Sequence, residues 1–141
     1  MKNKGGFTLI ELVMVISIIA VLLMAVGLTS GIRENAKVHS AAESIKALRT
    51  AAESYVAFGN MTYNGISIDG LQMLGYLPSG FSPTGSNPWG GDYAIAPDPD
   101  ANKVDIFLTS VSDYGAAMLS ALFANSASAT NYSSNTWTVT F

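Results

Sequence analysis

Two groups of residues have the types and spacing to do chemistry. The first is a lone carboxylate, Glu11, set inside the apolar run of residues 7–28, with Gly5-Gly6 just ahead of it. A carboxylate in such a place is costly to bury unless a cation faces it. The second is the acid-rich stretch Asp98, Asp100, Asn102 and Asp105, whose D-x-D-x-N spacing follows the opening of a calcium loop. Lys103 stands where such a loop wants Gly and Thr109 where it wants Glu, so the stretch reads better as an Asp/Pro hairpin turn. Asp98, Asp100 and Asp105 are left as weak calcium candidates, and no metal or other cofactor is expected. Catalytic signatures are missing: there is no Cys, no G-x-S-x-G, no paired His and no phosphate loop, and His39 is the single histidine. No enzyme is expected.

The element that must position Glu11 is a helix. Residues 7–28 are apolar but for that acid and a few small polar side chains. About 20 such residues at 1.5 Å each span a hydrocarbon core of ~30 Å. Lys2 and Lys4 before the run, with few positive residues just after it, place the N-terminus in the cytoplasm. A plain signal anchor is one alternative. A cleavable secretory signal cut after Ala25-Val26-Gly27 is another, but the run is longer than such regions and contains an acid.

Lys4-Gly5-Gly6-Phe7-Thr8-Leu9-Ile10-Glu11-Leu12 closely resembles the N-terminal signature of type IV pilins and of the related pseudopilins of type II secretion. The resemblance covers roughly the first 50 residues. It implies an α+β pilin fold: a long N-terminal helix, membrane-spanning in its first half, packed on a small antiparallel sheet. It also implies a leader, residues 1–6, cut between Gly6 and Phe7 by a prepilin peptidase that then N-methylates Phe7. The expected partners are identical subunits in a helical polymer, that peptidase/methyltransferase, an inner-membrane assembly platform, and the membrane itself before assembly. The expected location is the bacterial inner membrane, single-pass, and then an extracellular filament serving adhesion, motility or DNA uptake. A major pseudopilin of type II secretion is the alternative, and a monomeric membrane-anchored binding domain a more remote one.

Given cleavage, the freed Phe7 amine has a reference pKa near 8, and Glu11 lies one helical turn along on the same face. If copies of the helix stack with an axial stagger, Glu11 of one meets the Phe7 amine of the next. Methylation keeps the charge on the amine, and any other register would bury both charges alone. Phe7 and Glu11 are therefore the expected assembly residues.

Beyond residue 29 the helical period persists while polarity changes. Val38, Ala41, Ile45, Leu48, Ala52, Tyr55 and Gly59 follow a 3–4 spacing, with charges off that seam. The spacing predicts an amphipathic half-helix over residues 30–58, ending at Gly59-Asn60, in a helix of about 78 Å overall. Residues 59–86 read as a connecting region with a short helix capped by Asp69 and stopped at Gly75. Residues 87–141 read as the sheet region. Strands are expected at 93–95, 103–109 and 136–141, a helix at 112–124, and a loop at 126–135. Asn87-Pro88-Trp89-Gly90-Gly91 before a hairpin resembles stretches in type IVb-like pilins and major pseudopilins.

The net charge is −3, and losing Lys2 and Lys4 with the leader makes the remainder more acidic. From Gly59 onward Lys103 is the only basic residue against six Asp, so no direct nucleic-acid binding is expected. Without cysteine, the C-terminal segment must be held by strand pairing, packing or a metal.

Overall fold

A computed structural model describes the backbone of residues 8–141, and every side chain in that range except those of residues 25–30. The elements are α1 (Leu9–Ala57), α2 (Ile68–Met73), β1 (Tyr93–Pro97), β2 (Val104–Leu108), α3 (Asp113–Phe123), β3 (Ala129–Ser133) and β4 (Thr136–Thr140). The architecture is α+β, a long N-terminal helix with a four-stranded antiparallel sheet, consistent with the pilin fold. Two compact units divide the chain: Met1–Glu34 and Asn35–Phe141.

In the second unit the expected seam is buried from Val38 to Ala52, while Tyr55 is half-buried and Gly59 exposed. Val38, Ala41, Ile45, Leu48 and Ala52 are all covered, together with Ala42 and Ala51 beside them. These alanines, with the larger Ile45 and Leu48, belong to the same buried core as the inward side chains of the sheet. The Asn60 side-chain amide donates to the Tyr55 carbonyl at 3.2 Å, satisfying a last-turn acceptor where α1 stops.

The strand order is β1-β2-β4-β3, antiparallel throughout. Val104, Ile106 and Leu108 of β2 alternate inward, as do Trp137 and Val139 of β4. They join the α1 seam, Tyr93 and Ile95 of β1, and Leu119 and Phe123 of α3 in one core. Trp137 is fully buried, and its Nε1–H donates to Ser120 Oγ of α3 at 2.8 Å. The one polar atom of the largest core side chain is thereby satisfied.

Two local expectations need correction. The cap of α2 is Ser67, not Asp69: Ser67 Oγ accepts from the Gly70 N–H at 3.1 Å, and Asp69 lies inside the first turn. The stop is at Gly75, whose φ of +76° allows its N–H to reach the Gln72 carbonyl while Tyr76 N–H reaches that of Leu71. The segment expected as a loop at 126–135 contains β3, a polar edge strand paired with β4. Ser134 and Asn135 both have positive φ, which is the two-residue turn that matches the twist of a hairpin. Tyr132 fixes this edge strand, its hydroxyl lying 2.9 Å from the Val111 carbonyl and 2.8 Å from Asp113 Oδ1.

The C-terminal residue is held by strand pairing and packing. Val104 and Phe141 exchange backbone hydrogen bonds at 3.1 and 3.0 Å. The Phe141 ring meets Phe123 edge-on at 5.9 Å, and the Arg49 guanidinium sits 4.5 Å from the Phe141 ring centre. Arg49 also donates to the Ser126 carbonyl at 3.2 Å and pairs with Glu53 at 2.8 Å. A single α1 side chain thus fastens the end of the sheet to the long helix.

Candidate assembly interface

The apolar part of α1 has no core to join within its own unit. Leu9 is 82% exposed, Ile16 56% and Met24 73%, and the large apolar side chains between them are exposed around the whole helix. A helix that is apolar on every side needs lipid or other helices around it. Among the described residues no helix is long and apolar enough to cross a membrane. The described apolar side chains from Leu9 to Met24 rise about 24 Å, against ~30 Å of hydrocarbon. The expected span of residues 7–29 includes Phe7 and residues 25–29, which lie outside the described backbone or side chains.

Gly6 and Phe7, the expected processing site, also lie outside the described residues. Glu11 is exposed on the first turn of α1, and its surroundings are specific. Glu11 Oε2 accepts from the Thr8 N–H at 2.8 Å and from the Thr8 hydroxyl at 2.9 Å. In return, the Glu11 N–H approaches Thr8 Oγ1 at 3.4 Å. This is a capping box: each side chain satisfies a helix-end donor that would otherwise have no partner. Thr8 is the residue that charge and hydropathy reasoning overlooked, although T-x-x-E before an apolar run is a helix-start signal. Because one carboxylate oxygen takes both Thr8 donors, the group is held in one orientation.

The acid-rich stretch is used locally. Asp98 Oδ1 accepts from Asp100 N–H at 2.8 Å, and Asp100 Oδ1 from Asn102 N–H at 3.2 Å. Asp100 also pairs with Lys103 at 3.7 Å. Asp105 lies across the β2–β4 ladder from Thr140 and accepts its hydroxyl at 2.5 Å. These are turn and cross-strand bonds, and among the described residues no group of three or more metal-ligating side chains gathers.

The Asn87-Pro88-Trp89-Gly90-Gly91 stretch is a structural knot ahead of β1. Asn87 is 4% exposed and its amide donates to the Thr109 carbonyl at 2.7 Å. Its Oδ1 accepts from Trp89 N–H at 3.0 Å and Gly91 N–H at 2.9 Å. Trp89 in turn rests against Gly115 of α3, where an added Cβ would come within 2.5 Å of the ring. The stretch ties the start of the sheet to α3.

Residues 1–27 match the family described as the prokaryotic N-terminal methylation motif. That is the prepilin motif of type IV pilins and pseudopilins, and chains bearing it are substrates of prepilin peptidase. No curated protein and no solved structure matches the chain.

Proposed function

We propose that this chain is the structural subunit of a type IV pilus. What supports it is the pairing of a prepilin motif over residues 1–27 with a helix whose apolar side chains face outward on every side. The precursor holds residues 7–29 in the inner membrane with its N-terminus in the cytoplasm. Prepilin peptidase removes Met1 to Gly6 and methylates Phe7. The subunit then leaves the bilayer and exchanges lipid for the same helix of other copies.

Lipid tails are as apolar as leucine, so this exchange is driven by close helix packing and by the satisfaction of polar groups. Glu11 supplies the polar term and the register, because its oriented carboxylate faces the Phe7 amine of a neighbouring copy. Adhesion, motility or DNA uptake belongs to the filament as a whole.

The test is electron microscopy of sheared cell-surface material together with mass spectrometry of the fibres. Surface fibres composed of this chain, lost on deletion of its gene, are the expected result. The chain found only in short periplasmic assemblies of a secretion system would make it a major pseudopilin instead, and a chain found only as an uncleaved monomer would overturn the proposal.

A further inference from the structure

We propose that Met61 and Met73 are oxidation sites, which consume two-electron oxidants at the surface of the globular unit and leave its fold unchanged. A single copy suffices for this chemistry, so it stands whether or not the chain polymerises.

Sulfur in this unit lies outside the core. From Asn35 onward the chain holds three methionines, Met61, Met73 and Met118, and it has no cysteine anywhere. Met61 is 95% exposed, Met73 89% and Met118 39%. Among the described residues the buried core of the unit contains no methionine. Its side chains are Leu, Ile, Val and Ala, with Tyr93, Phe123 and Trp137. Methionine is ordinarily among the residue types most often buried, as an adaptable filler of irregular gaps. Here branched aliphatic and aromatic side chains fill the interior, and the thioethers stand in solvent.

In a chain without thiols, the thioether is the softest nucleophile that an oxidant arriving from solvent can reach. With hypochlorous acid, the sulfur lone pair attacks chlorine and hydroxide leaves. Water then displaces chloride from sulfur, and its protons are released. The thioether has lost two electrons and gained one oxygen as a sulfoxide, while hypochlorous acid has become chloride and a proton. The indole rings, next in ease of oxidation, are less accessible: Trp137 is fully buried, and Trp89 is half-buried against Gly115.

Placement makes the product harmless. A sulfoxide is polar, and inside a core its oxygen would need a donor that an apolar interior does not hold. Met61 lies in the connection four residues beyond α1, and Met73 is the last residue of α2. At both positions water hydrates the new oxygen, and no buried contact has to change.

Full-length chain in detergent micelles is titrated with hypochlorous acid, and its peptides are mapped by mass spectrometry. Met61 and Met73 are expected to be half-converted at a dose at least threefold below that for Met118. The thermal midpoint read by near-ultraviolet circular dichroism is expected to stay unchanged once both are sulfoxides. Conversion of either no earlier than Met118, or a midpoint that falls as they convert, overturns the proposal. As a second arm, the double variant Met61→Leu with Met73→Leu keeps the apolar bulk and removes the sulfur. Its tryptophan fluorescence is expected to begin falling about two equivalents of oxidant per chain sooner, one for each missing thioether. Loss at the same dose as the parent means that these methionines do not intercept the oxidant, and it too overturns the proposal.

Discussion

Replacing Arg49 by Met keeps the aliphatic stem and removes the guanidinium that fastens the sheet's end to α1. Three contacts are lost. The cation over the Phe141 ring is worth about 0.5–1 kcal/mol at a partly exposed site. The bond to the Ser126 carbonyl contributes about 1 kcal/mol, the low side for a charged donor because the side chain is 36% exposed. The Glu53 pair, at i,i+4, adds about 0.3–0.5 kcal/mol. Together these give a loss of about 2 kcal/mol, or a Tm lower by roughly 8 °C for a domain near a hundred residues. The fragment beginning at Asn35 has its own core and suits the assay, urea unfolding followed by tryptophan fluorescence. Arg49→Lys is expected to recover less than half of the loss, since an ammonium cannot stack and fork at once. Combining Arg49→Met with Phe141→Leu should show non-additivity of about 0.5–1 kcal/mol. A loss below about 0.5 kcal/mol for Arg49→Met, or strict additivity with Phe141→Leu, would refute the idea that Arg49 fastens the sheet's end to α1.

Glu11→Ala is expected to leave leader cleavage intact and cut fibre yield severely, read by immunoblot of whole cells against sheared fibres; normal fibres at normal yield would remove the register role of Glu11. Gly6→Val is expected to block cleavage, so that only the precursor is seen on the same blot. Asn87→Ala leaves the Trp89 and Gly91 N–H groups and the Thr109 carbonyl without their partner, and a loss of about 2–4 kcal/mol is expected in urea unfolding. Burial raises the Tyr93 phenol above its usual value of about 10, so the folded state holds that proton more tightly than the unfolded chain. Its stabilising effect is complete below pH 10 and fades as pH climbs past 10 toward the raised value. Tyr93→Phe is therefore expected to lose less stability than the parent between pH 9 and pH 11.

What was legible in the chain follows the strength of its physical signals. The prepilin signature specifies chemistry residue by residue, from Gly5 to Leu12, and needs no fold to be read. The α1 seam from Val38 to Ala52 and the alternation of Val104, Ile106 and Leu108 were legible because each has one wet and one dry face. β3 was not, since Ala129–Ser133 is an edge strand with no fully buried side chain, and its pairing comes from β4 and the Ser134-Asn135 turn. Asp69 looked like a cap because acids favour helix starts, but Ser67 sits at the place from which a side chain reaches the Gly70 N–H. Thr8 was hidden by its neighbour: Glu11 drew notice as a charge, whereas its first partner is the residue that begins the helix. The Arg49–Phe141 contact joins residues far apart in the chain, and no local pattern announces it.

The most direct measurement is the N-terminal sequence and intact mass of the chain recovered from cell-surface material. A pilin begins at a methylated Phe7, has lost Met1 to Gly6, and comes from fibres. A chain that still begins at Met1 and remains a single copy in the membrane would contradict assembly through the N-terminal helix.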